Sequence, residues 1–187
     1  MLKKRVWYFI ALLSISLLFP YRGAEADTSV APDFELQNLE GKRITLKSLL
    51  GKGPIILDFW ATWCKPCIEE MKHLQTIYDE YRERGLHVVA ISQDSPRSVS
   101  KVKSFVRGRR FTFTVLLDTN KDVYRRFHLY GLPHTFVLNS DGEIVFRRFG
   151  YRPGDETELK IRIEELMNEE ATARSDSTQT DTPRAEE

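Results

Sequence analysis

Apolar side chains fall along this chain in two rhythms that take turns. Asp33 to Gln37 alternates polar with apolar, a glycine-containing turn fills 38–42, and Arg43 to Leu46 alternates back, which predicts a β-hairpin. Ser48 to Leu50 reads as a short helical turn ahead of the breakers Gly51, Gly53 and Pro54. Ile55 to Trp60 is then apolar at every place except Asp58, the pattern of a strand covered on both faces. From Cys64 the rhythm changes: Ile68, Met71, Leu74, Ile77, Tyr78 and Tyr81 recur at helical spacing until Gly85.

The alternation continues downstream. Leu86 to Ile91 predicts a strand, and Ser95-Pro96 opens a helix carrying Val99, Val102, Phe105 and Val106. Phe113 to Leu117 predicts another strand, and Asp118 or Asn120 caps a helix through Val123, Tyr124 and Phe127 that ends near Gly131. Thr135 to Leu138 and Glu143 to Phe146 form a hairpin around an Asp-Gly turn, and Glu156 to Met167 is the last helix, with Leu159, Ile163 and Leu166 on one face. This is an α/β order.

The two ends carry different signals. Lys3, Lys4 and Arg5 precede an apolar run from Val6 to Phe19, then Pro20 and Ala24-Glu25-Ala26, the grammar of an export signal cleaved after Ala26. The run falls short of the roughly 20 residues a spanning helix needs, so an uncleaved membrane anchor is the second reading. No cysteine near the cleavage point could carry a lipid. Residues 171–187 lack large apolar side chains and read as a disordered tail, leaving 27–170 as one domain. A formal charge of +1 excludes a strongly basic surface, and the Arg clusters at 107–110, 125–126 and 147–148 read as solvated faces, so no nucleic-acid partner is expected.

The only two cysteines, Cys64 and Cys67, stand at the junction of the apolar strand and the long helix. A bridge between them closes too short a loop to stabilise much, and no second ligand pair at zinc-finger spacing accompanies them, so their spacing points to redox chemistry. At the helix N-terminus Cys64 would be held as a thiolate by unpaired N–H groups and the helix dipole, with Lys65 adding to the effect. Cys64 is the expected nucleophile and Cys67, one turn further in, the resolving thiol; Pro66 stiffens the first turn. Trp63 is a candidate partner-facing aromatic. Asp58, a carboxylate in an apolar strand, should have a raised pKa and exchange protons with Cys67.

Phe59-Trp60-Ala61-Thr62-Trp63-Cys64-Lys65-Pro66-Cys67 resembles the Trp-Cys-x-Pro-Cys site of thioredoxin-fold proteins, most closely the exported TlpA/ResA-like group. Ala31-Pro32-Asp33-Phe34 and Gly131 to Phe136 look like that group too, and the likeness runs from about Ala31 to Met167. It implies a thioredoxin-like three-layer fold: a central mixed sheet flanked by helices, with the N-terminal hairpin added. It also implies that Pro133 is cis and lies against the cysteines, leaving the Leu132 backbone free to pair with a substrate strand. Two positions depart from the group. Asp58 stands where it often has Asn, and His134 where it commonly has Thr, so His134 is a candidate for tuning the sulfurs.

The resemblance implies an exported thiol:disulfide oxidoreductase without a cofactor beyond its own cysteine pair. Expected partners are protein disulfides and a membrane thiol-electron donor, in work such as cytochrome c maturation, with the enzyme a monomer. A disulfide-forming oxidase of the same fold and a copper-binding assembly factor using Cys64, Cys67 and His134 are the competing readings. A peroxidatic Pro-x-x-x-Thr-x-x-Cys site is disfavoured, because Ala61 stands three before Cys64 and Thr62 is one place off.

Overall fold

The computed structural model describes residues 29–179; residues 1–28, which include the stretch expected to be an export signal, and residues 180–187 lie outside the described residues. The strands are β1 Glu35–Asn38, β2 Arg43–Thr45, β3 Ile55–Trp60, β4 His87–Ser92, β5 Thr114–Leu117, β6 His134–Leu138 and β7 Ile144–Phe149. The helices are α1 Lys65–Tyr81, α2 Val99–Arg109, α3 Asp122–Arg126 and α4 Asp155–Gln179. One seven-stranded sheet runs in the order β2-β1-β5-β4-β3-β6-β7. β3, β4 and β5 are parallel, whereas β6, β7 and β1 join antiparallel. The expected N-terminal hairpin forms and docks on the sheet through β1 against β5.

β3 lies at the centre, paired on both sides, and all six of its residues are buried. Its alternation divides the core. Ile56 and Trp60 join Met71, Leu74, Val102, Leu159 and Ile163 on the face covered by α1, α2 and α4. Ile55, Leu57 and Phe59 join Phe34, Phe127 and Phe136 on the other face. Each fully buried large side chain contributes about 1.5–3 kcal/mol. The strand and α1 also meet at their outer ends: a Cβ at Gly53 would stand 2.4 Å from the Gly85 carbonyl oxygen, and Gly85 takes φ +100° to end the helical run. Only glycine fits that contact.

Three helices differ from their expected bounds, and β7 runs on to Phe149, three residues past its expected end. Ser95-Pro96 opens a 3-10 turn at Pro96–Ser98 before α2 begins. α3 spans only Asp122–Arg126: the Asp118 carboxylate accepts the Val123 and Tyr124 N–H groups at its start, and His128 takes a left-handed φ of 52° just past its end. α4 continues to Gln179, well into the stretch expected to be a disordered tail. Missing apolar residues remove packing but not helix propagation. Glu170 anchors the helix by accepting the Ser140 N–H at 2.8 Å, Ala171, Ala173 and Arg174 are strong helix formers, and no Gly or Pro intervenes before Pro183.

Candidate active site

From Trp60 the chain turns through Ala61 to Trp63 into α1. Asp94 clamps that turn: it accepts the Thr62 N–H at 2.9 Å, the Thr62 hydroxyl at 2.6 Å and the Ser92 hydroxyl at 3.0 Å. Cys64 is thereby set as the N-cap of α1, bonded to Cys67 across a Cα separation of 5.3 Å. The Cys67 N–H donates to Cys64 Sγ at 3.4 Å, so the sulfur expected to become the thiolate already receives a helix N-terminal donor. Pro66 occupies the first turn, where an N–H would lack an intrahelical partner. Cys64 keeps 6% of its surface and Cys67 none. Lys65 is exposed, and Trp63, 63% exposed, stands out in solvent beside the bridge.

The Leu132–Pro133 bond is cis, as the resemblance implied. Pro133 is buried and its carbonyl accepts the Gly150 N–H at 2.9 Å, while half-buried Leu132 packs against both core clusters.

Asp58 sits with Ile56 and Trp60 on the α1 face of β3 by alternation, fully buried. Neither of its oxygens has a hydrogen-bond partner among the described residues. Burial pushes its carboxyl well above the usual carboxylate range, and the neighbouring Glu70 charge pushes it further.

Glu70 is the site residue that sequence reasoning missed. It is 2% exposed, and its Oε1 accepts the Thr135 hydroxyl at 2.6 Å while Oε2 is buried without a partner. Burial raises its pKa from the ordinary 4.5 to about 7, against the opposing pull of the Thr135 hydrogen bond and the Arg148 charge. A signal existed. Glu70 stands three residues after Cys67 and four before Leu74, inside the helix's apolar stripe, yet beside Glu69 it reads as half of a solvated acidic pair.

His134 does not join the sulfurs. Thr135 points to Glu70 under α1, so His134, one residue earlier, faces the opposite side of the sheet. There its ring lies 5.6 Å from Phe136, 5.2 Å from Phe149 and 5.4 Å from Tyr130, on the wall of a cavity of about 380 Å³ that also meets Arg126 and Arg147. Burial lowers its pKa. Its expected role as a tuner beside the thiolate is therefore corrected, and with it the shared copper site of Cys64, Cys67 and His134. Among the described residues no group of three or more His, Cys, Asp or Glu could hold a metal ion.

A central mixed sheet, a Cys-x-x-Cys bridge capping the helix that follows its middle strand, and a cis-proline immediately before β6 define a thioredoxin-fold thiol:disulfide oxidoreductase. The AhpC/TSA family profile matches residues 28–147, and the chain belongs to that family. It is 36% identical over 128 residues to the thiol-disulfide oxidoreductase ResA of Bacillus cereus, covering 68% of this chain and 72% of the relative. With ResA of Halalkalibacterium halodurans it shares 35% identity over 153 residues, 76% of this chain and 85% of the relative. Among solved structures it superposes with a TM-score of 0.70 on a protein from Chlorobium tepidum assigned as thiol:disulfide interchange protein DsbE. That pair is 28% identical, and the match covers 75% of this chain and 96% of the other.

Proposed function

We propose that the enzyme works outside the cytosol as a reductase of specific protein disulfides, with Cys64 as nucleophile, Cys67 as resolving thiol and the Asp58–Glu70 pair as proton acceptor. The observation that carries this reading is the position of the bridge. It caps α1 with Cys64 at the rim, Cys67 enclosed, and two carboxylates of raised pKa on the same face of the sheet.

The reaction begins from the dithiol. The Cys64 thiolate attacks one sulfur of a substrate disulfide, forming a mixed disulfide and releasing the other substrate sulfur as a thiolate. Cys67 gives its proton to the carboxylate pair and attacks Cys64 Sγ. That step closes the bridge, and the second substrate thiolate leaves and takes up a proton. Two electrons have passed to the substrate, and a membrane-bound dithiol donor restores them. Trp63 and the Leu132 backbone beside Pro133 form the surface that receives the substrate strand. Export rests on the Lys3 to Ala26 signal, and reduction of haem-attachment cysteines for cytochrome c maturation rests on the likeness to the ResA group.

Direction of electron flow separates this reading from a disulfide-forming oxidase. A redox titration of the Cys64–Cys67 pair against dithiothreitol is expected to give a potential near thioredoxin's, about −270 mV; a value near −120 mV would sink the reductase. Trapping with Cys67→Ser, which stalls the mixed disulfide on Cys64, then recovers the substrate.

A further inference from the structure

Thr135 donates to Glu70 from β6, and directly across on β7 its register partner is Arg148. Cross-strand partners point to the same face, so the Arg148 guanidinium lies on the carboxylate side of the sheet. Its side chain is 13% exposed, whereas every other Lys or Arg in the described ion pairs is 41% exposed or more. The first turn of α4 clamps it: Nη1 donates to the Asp155 carbonyl at 2.8 Å and lies 3.6 Å from its carboxylate, while Nη2 donates to Glu158 at 2.8 Å. A cation taken this far out of water requires opposite charge around it.

We propose that Arg148, held by Asp155 and Glu158, is the counter-cation of the buried Asp58–Glu70 pair and sets the charge that the pair carries near neutral pH. It is a positioning residue: it touches neither sulfur nor substrate and acts through Glu70. The proposal rests on the reading of that pair as the proton acceptor of Cys67. The other groups facing the pair are Thr135 from β6, Asp155 from the start of α4 and Tyr151 from the loop before it, while His73, one turn along α1, stands against Glu156. Asp155 opposes Arg148 at Glu70; Tyr151 donates to Glu156 at 2.9 Å, and His73 lies 3.9 Å from that same carboxylate. Arg148 is the cation that pulls Glu70 toward ionisation. Glu70 is then ionised in a larger fraction of molecules and can accept a proton at the pH where thiol exchange runs.

The test is a pH titration of the Glu70 side-chain carboxyl by carbon NMR in the oxidised protein, which does not depend on turnover. Wild type should titrate near pH 7. Arg148→Met should raise the midpoint by about one pH unit, the low end of the effect of an opposite charge at close range. Arg148→Lys should return it to the wild-type value. An unchanged midpoint in the Met variant, or a Lys variant displaced as far as Met, overturns the proposal. If the Met variant does not fold, the Lys variant alone decides: a wild-type midpoint supports the proposal and a midpoint raised by a unit overturns it. Failure of the wild-type dithiol to reduce a protein disulfide such as insulin would instead overturn the proposed function and leave the titration standing.

Discussion

Two pairs of buried carboxylates stand within one domain and live in opposite surroundings. Asp94 and Asp118, 3% and 2% exposed, are ringed by donors: Thr62 and Ser92 serve the first, while the Val123 and Tyr124 amides and Gln93 serve the second. Asp58 and Glu70, 0% and 2% exposed, share a single hydrogen bond from Thr135 and leave three oxygens without partners. Burial is the same in both pairs; the donor supply differs. The first pair braces loops, with Asp94 fixing the turn that presents Cys64, and the second is left free to hold a proton.

Substitutions can break that contrast. The largest effect is expected from Asp94→Ala, which strips the Thr62 amide and two hydroxyls of their acceptor and should cost about 3 kcal/mol in urea unfolding. Glu70→Gln should act through pH. A carboxyl whose folded pKa is raised from 4.5 to about 7 adds stability that is fully present below 4.5 and lost as pH rises through 7. The oxidised wild type should therefore lose about 3 kcal/mol between pH 4.5 and 8, and the variant should lose most of that dependence in denaturant melts. Asp58→Asn should leave the fold intact and slow closure of the Cys64–Cys67 bridge about 100-fold at pH 7, read by stopped-flow release of a mixed disulfide. An unchanged rate would remove Asp58 from the proton path.

Thr135→Val removes the one donor of the second pair. It should destabilise by about 1 kcal/mol and move the Glu70 titration upward, seen by the same melts across pH. Smallest is His134→Phe. Since that ring lies across the sheet from the sulfurs, the pH dependence of Cys64 alkylation should match wild type, and a displaced profile would reopen a role for His134 at the site.

Much of this arrangement was legible in the chain because it depends on local rules. The apolar run of β3, the stripe of α1, the Asn139–Gly142 turn and the Cys64-x-x-Cys67 spacing each follow from short-range periodicity or covalent distance. Asp58 was legible as a misfit in its own strand. Glu70 was hidden, because its burial is tertiary: its hydrogen-bond partner Thr135 lies 65 residues away in sequence. His134 was misplaced for a related reason: adjacency to Pro133 suggests nearness to the sulfurs, but the period-2 pleat sends neighbouring side chains to opposite faces, and only the Thr135 contact reveals which face is which. The extent of α4 escaped because composition reports the lack of packing and not the continuity of a hydrogen-bonded helix.

The close approach of Gly53 to Gly85 stitches β3, α1 and β4 together at the end opposite the cysteines, where His87 also donates its N–H to the Pro54 carbonyl at 2.9 Å. With β3 paired on both flanks, local opening should reach this unit last, and the Ile55 to Trp60 amides should be among the slowest to exchange with deuterium. Trp63, exposed at the rim beside the bridge, lies outside that unit and can reorient while the strand that carries Asp58 holds still.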